Sequence, residues 1–334
     1  MINTRILFLI ILFVTSCEPE EIPIDGCVDG CIDYIQVELG SDYCYQKYYN
    51  LTTNIIVNEH FMTEWDLAFS NEANMVMLNS SKYMGVIAID STLNPQLIIN
   101  SINNNNWSYD NPNGDLSLVA FHQNLDLLSK SFFLVDRGYD CITNHLGYFI
   151  IQIIDYDENS YFIQTIDLIE LDDNTTWHYN EIIEIDKQEN TQYNYFSFIS
   201  NSVVNIVNEP WDLCFLRYTE FNVPSPGGNN DLQTLPTYRV VGVLQNSHIS
   251  VAVDSINDFS DINMNNITSY EFSMESNSIG YDWKYYDPQL GLYAIDSPVY
   301  IIQKSNSEYY KLLFLDFYNE FGDKGAPLFQ IERI

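Results

Sequence analysis

Apolar and polar residues alternate along much of this chain with the two-residue period of β-strands. Residues 161–168 (Tyr-Phe-Ile-Gln-Thr-Ile-Asp-Leu) read as a half-buried antiparallel strand, and residues 311–318 (Lys-Leu-Leu-Phe-Leu-Asp-Phe-Tyr) as a more fully buried one. Further apolar runs at 85–89, 132–136, 148–155, 249–253, 299–303 and 309–316 are separated by Asn, Asp, Gly and Ser clusters, such as 103–106, 112–114 and 227–230. Such clusters supply turn conformations and end strands. The 3.6-residue period of a helix is weak, apart from a short turn over 258–264. An all-β protein of antiparallel, sandwich-like sheets is predicted.

The pattern is written twice. Trp65-Asp66-Leu67-Ala68-Phe69 recurs as Trp211-Asp212-Leu213-Cys214-Phe215, and an aromatic pair precedes each copy, Tyr48-Tyr49 and Tyr195-Phe196. A strand ending in Asp90-Ser91 or Asp254-Ser255 follows, then Trp107 with Asp110 and Pro112 or Trp283 with Asp287 and Pro288, then a hairpin. Landmarks in one order predict two related β-rich lobes from an internal duplication, over 41–188 and 189–334, with 18–40 as an N-terminal tether. The Trp side chains are expected to fill core and the Asp side chains to accept from nearby backbone N–H groups.

The start of the chain is not part of this pattern. Arg5 precedes an apolar run at 6–14 that ends in Val14-Thr15-Ser16-Cys17. This reads as a signal peptide over residues 1–17. Its last four residues resemble a bacterial lipobox, with Cys17 as the acylated N-terminus of a protein anchored in the outer membrane, and the acidic Glu18-Pro19-Glu20-Glu21 resembles a surface-export signal. Export permits disulfides, and Cys27–Cys31 is the expected pair, while Cys214 lies in an apolar strand and is expected to be buried.

Composition narrows the function. Aromatic residues make up 15% of the chain, which favours strands. The net charge of −33, from 46 acids against 13 bases, excludes nucleic acid and anionic lipid surfaces as partners. No nucleophile elbow, zinc-protease helix, P-loop or dinucleotide fingerprint is present, so a non-catalytic role is expected. Asp155-Tyr156-Asp157-Glu158-Asn159 imitates the start of a calcium loop but lacks its Gly and its closing Glu; a hairpin turn is expected there. The loop from Pro224 to Asn230 is an insertion of the second half. Five histidines (His60, His122, His145, His178, His248) and the methionines Met75, Met77, Met84, Met264 and Met274 are of the types that ligate haem iron from loops distant in sequence.

The Tyr195-Phe196-Ser197-Phe198 segment, the second Trp-Asp motif and the ending from Tyr310 to Gly325 resemble the HmuY family of haem-binding lipoproteins over residues 190–334, with the first half a divergent copy. The resemblance implies a surface protein that captures haem and hands it to an outer-membrane receptor, the iron held by His or Met side chains on loops after the Trp-Asp strand. On that pattern His248, Met264 and Met274 are the candidate ligands. Two other readings stay open: an adhesion or scaffold lipoprotein of the same fold that binds no haem, and a glycan-binding surface protein using exposed Tyr and Trp.

Overall fold

The computed structural model describes residues 31–89, 94–104, 106–123, 132–171, 174–189, 191–224 and 234–334. These residues form an all-β protein in which four antiparallel sheets make two sandwiches, with a small hairpin sheet, Lys284–Asp287 with Leu292–Ile295, packed against the core of the second. The larger sheet of the first lobe runs in the order Asn174–Tyr179, Ser160–Leu171, Tyr148–Tyr156, Phe132–Asp136, Gly85–Ile89. The larger sheet of the second runs Ile32–Gln36, Lys324–Arg333, Glu308–Tyr318, Val299–Ser305, Ser250–Asp254. Each is covered by a four-stranded sheet, and alternation sends every second side chain into the space between.

The covering sheets exchange strands between the two halves of the sequence. On the first lobe, Leu67–Ser70 pairs with Tyr193–Ser197, placing Ala68 opposite Tyr195 and Leu67 opposite Phe196. On the second, Leu213–Pro224 pairs with Tyr45–Asn50, placing Cys214 opposite Tyr48 and Leu213 opposite Tyr49. These are the equivalent pairings of the two sequence repeats. Consecutive aromatic residues serve both faces of their strand: Tyr49 enters the second lobe's core against Phe215 and Phe329, and Phe196 enters the first lobe's core against Phe69. Tyr48 and Tyr195 point the other way, into the seam between the lobes.

The lobes are therefore not the contiguous stretches 41–188 and 189–334 expected from the repeat, because each is closed by the opening strand of the other. Residues 32–39 likewise correct the expected tether. Ile35, Val37 and Leu39 keep the strand period, Ile32–Gln36 pairs with Lys324–Arg333, and Val37 and Leu39 are fully buried.

A ten-residue helix, Pro95–Asn104, stands where no helix was expected. Its first position is a proline, where the missing N–H has no helical partner to lose. The turn after Tyr148–Tyr156 is closed by Asp157, whose carboxylate accepts the N–H groups of Asn159 (2.7 Å) and Ser160 (2.8 Å). A disulfide joins Cys44 to Cys141. Cys31 is disulfide-bonded and its expected partner Cys27, like Cys17 and the signal segment, lies outside the described residues. Cys214 is a free, buried thiol. No helix among the described residues is long and apolar enough to cross a membrane.

Candidate functional site

The two Trp-Asp segments sit at the seam and repeat each other's bonds to the backbone. Trp65 meets Tyr195 edge-on with ring centres 4.9 Å apart, and Trp211 meets Tyr48 edge-on at 5.0 Å. The N–H of Asp66 donates to the Phe196 carbonyl (2.7 Å) and that of Asp212 to the Tyr49 carbonyl (2.8 Å). Each aspartate then accepts one further N–H at 2.7 Å, from Phe198 and from Leu51. Asn79 and Asn246 donate their side-chain amides to the carbonyls of Trp65 (2.9 Å) and Trp211 (3.2 Å). Each aspartate thus locks the borrowed strand in place.

The cations around the aspartates differ. Asp66 holds Lys82 and, at 2.9 Å, Arg137 Nε; Lys82 is fully buried and also donates to the Trp65 carbonyl at 2.9 Å. Burial presses the Lys82 amine down to about 8, against the pull of Asp66. Asp212 instead takes His248 Nε2 at 2.7 Å and Lys304 Nζ at 2.9 Å. Burial works to raise its carboxyl, but the hydrogen bonds from His248, the Leu51 N–H and Lys304 outweigh it and hold the group below the usual carboxylate range.

This difference opens the second node to solvent. His248 is 45% exposed and lines a cavity of about 530 Å³ together with Trp211, Tyr193, Tyr195, Glu72 and Glu209. A second cavity of about 360 Å³ adjoins it in the seam, walled by Tyr48, Trp65, Met77, Trp211, Cys214 and Gln245. Gln245 donates from Nε2 to the carbonyls of Ile249 and Ser273, which leaves its buried Oε1 with no donor among the described residues. Asp110 forms part of the same wall; burial raises its carboxyl to about 7, although the N–H groups of Leu78 and Ala120 work against the rise.

Of the three candidate ligands His248 lines a seam cavity. Met264 and Met274 are 48% and 66% exposed and line neither seam cavity. A haem brings a flat apolar ring, an iron that accepts an imidazole, and two carboxylates. The aromatic walls, the cavity size and an imidazole braced by a carboxylate on its other nitrogen fit the ring and the iron. Glu72, Glu189 and Glu209 in the same wall offer the carboxylates no cation. Lys82, Arg137 and the Cys44–Cys141 bridge escaped the sequence reading because their partners lie far along the chain and follow no spacing rule.

Fold and seam together define a two-lobed β-sandwich protein with ligand-sized cavities between its lobes. Residues 189–331 match the family described as HmuY protein. The chain is similar to apo PinO from Porphyromonas gingivitis, at 9% identity over 91% of this chain and 98% of that one, with a TM-score of 0.34. It is also similar to the apo HmuY analog of Tannerella forsythia, at 13% identity over 53% of this chain and 98% of that one, with a TM-score of 0.21. No curated protein matches the chain.

Proposed function

We propose that this protein binds haem without catalysis, as a lipoprotein held at the outer membrane through Cys17, and passes its cargo to an outer-membrane receptor. The observation that carries this reading is His248: it lies inside the HmuY-matched half, at the mouth of an aromatic cavity, with one ring nitrogen fixed on Asp212. A carboxylate on one nitrogen orients an imidazole and raises its basicity as a metal ligand. The protein's contribution is the aromatic part of the wall, Tyr193, Tyr195 and Trp211, an iron ligand held in one orientation, and partial exclusion of water.

Titration with micromolar haem, followed by absorbance, tests the reading. A Soret shift is expected, with affinity reduced about tenfold or more in His248→Ala. Met264→Ala and Met274→Ala test a second axial ligand, and the one that supplies it changes the Soret position. No shift in the unaltered protein sinks the haem reading. The acidic wall of Glu72, Glu189 and Glu209 favours, in that event, the second reading of an adhesion or scaffold protein that keeps the fold without the haem.

A further inference from the structure

Farther along the Leu213–Pro224 and Thr234–Gln245 strands lies a third cleft, of about 470 Å³, lined by Arg217, Arg239, Thr237, Tyr238, Tyr83 and Tyr139. Arg217 pairs opposite Val241 and Thr219 opposite Arg239, so the two arginines are diagonal neighbours on one face of the sheet. Each guanidinium lies over a tyrosine ring, Arg217 at 4.8 Å from the centre of Tyr43 and Arg239 at 5.4 Å from that of Tyr139. A guanidinium over a ring face can still offer its N–H edges for paired hydrogen bonds in its own plane.

Among the described residues those edges meet no carboxylate at ion-pair distance, although the Asp42 and Asp140 charges act favourably on Arg217 and Arg239 from farther off. Arg239 donates to the Asp140 carbonyl at 3.3 Å, but neither arginine forms an ion pair with a carboxylate among the described residues. This is unexpected in a chain with 46 acids and 13 bases. Burial, and then the neighbouring Arg217 charge, push Arg239 down to about 10, so the pair is held together at a cost that an anion would offset. The cleft is also held in shape. Tyr83 and Tyr139 come from one lobe and the arginines from the other; Tyr83 hydrogen-bonds Thr237, and the Cys44–Cys141 bridge secures the loop that carries Tyr139.

We propose that this cleft binds a flat organic anion bearing two carboxylates, one on each guanidinium edge, with its ring against the tyrosines. The cleft is larger than an inorganic ion requires, and its tyrosine rings favour a flat apolar body over a flexible chain. The site is separate from the His248 cavity and does not depend on the haem reading.

Calorimetric titration of the purified protein with isophthalate, and with its neutral diamide isophthalamide as control, tests the proposal. Isophthalate is expected to bind in the micromolar range and isophthalamide not to bind. Binding should weaken several-fold between low and 0.5 M salt. Arg217→Gln and Arg239→Gln should each weaken binding about tenfold or more, and Arg239→Lys, which keeps the charge and loses the fork, by several-fold. Melting points matching the parent certify that the variants are folded; should Arg217→Gln fail that test, the two Arg239 variants decide. Equal binding of the diamide, undiminished binding in the folded variants, or no isophthalate binding below millimolar concentration each overturns the proposal. Haem binding without isophthalate binding would sink this site alone, and the converse would sink the haem reading alone.

Discussion

Asp66 and Asp212 hold equivalent strands with unequal company, and substitution should expose the difference. Asp66→Asn leaves Lys82 buried with no countercharge, and an uncompensated buried charge costs about 3–5 kcal/mol. Asp212→Asn leaves His248 and Lys304 able to reach water, and its expected cost is about 1 kcal/mol. Urea denaturation at pH 7 measures both. The Asp212 carboxyl is held below its ordinary range in the folded protein, so its stabilisation is present above the unfolded value of about 4 and is lost as pH falls through the folded value. The gap between the parent and Asp212→Asn is therefore expected to close in denaturation curves taken from about pH 4 downward; a gap that stays constant to pH 2 contradicts this. The Trp-Asp repeat itself was legible in the sequence, since five residues recur nearly unchanged. Its partners were not: Lys82 stands 16 positions from Asp66, and His248 stands 36 from Asp212.

Most strands were legible for a similar reason. Period-two alternation survives wherever a strand has one buried face, which located the hairpins around Phe132–Asp136 and Val299–Ser305. Alternation states which side chains point inward and says nothing of which strand lies alongside. That is why Tyr48-Tyr49 and Tyr195-Phe196 were recognised as equivalent while their exchange was not. The exchange makes a local prediction. Tyr49 is fully buried against Phe215 and Phe329, so Tyr49→Ala should cost about 3–5 kcal/mol, the range for removing a core aromatic. Hydrogen exchange should show the loss in Leu213–Pro224 and Lys324–Arg333, on the second lobe, and leave Phe132–Asp136 protected. Loss of protection confined to residues 67–171 would contradict the observed pairing. Helix Pro95–Asn104 was missed because Asn-rich sequence at 103–106 reads as loop, although Pro95 marked its start.

At the scale of the molecule, neither half of the chain contains a complete lobe. Residues 31–188 lack the Tyr193–Ser197 strand of their own covering sheet, and residues 189–334 lack Tyr45–Asn50 and Ile55–Phe61. The two fragments, produced separately, are expected to be poorly folded, and to give the dispersed amide spectrum of the intact chain when refolded together. Two fragments that each fold alone would show that the exchange is incidental to stability. The candidate ligand cavity was the least legible feature at this scale. The sequence named three side chains of suitable chemistry, and the fold brings His248 to a seam cavity and Met264 and Met274 to neither, because the positions of the methionines depend on loops that no period governs.

The exchanged strands also set an order in time. A ribosome delivers Tyr45–Asn50 long before the Leu213–Pro224 strand that receives it, and Leu67–Ser70 waits for Tyr193–Ser197. The first lobe cannot close its covering sheet until residue 197 has emerged, and the second cannot form without a hairpin made more than 150 residues earlier. Both lobes therefore mature together and late, as pairings of high sequence separation do.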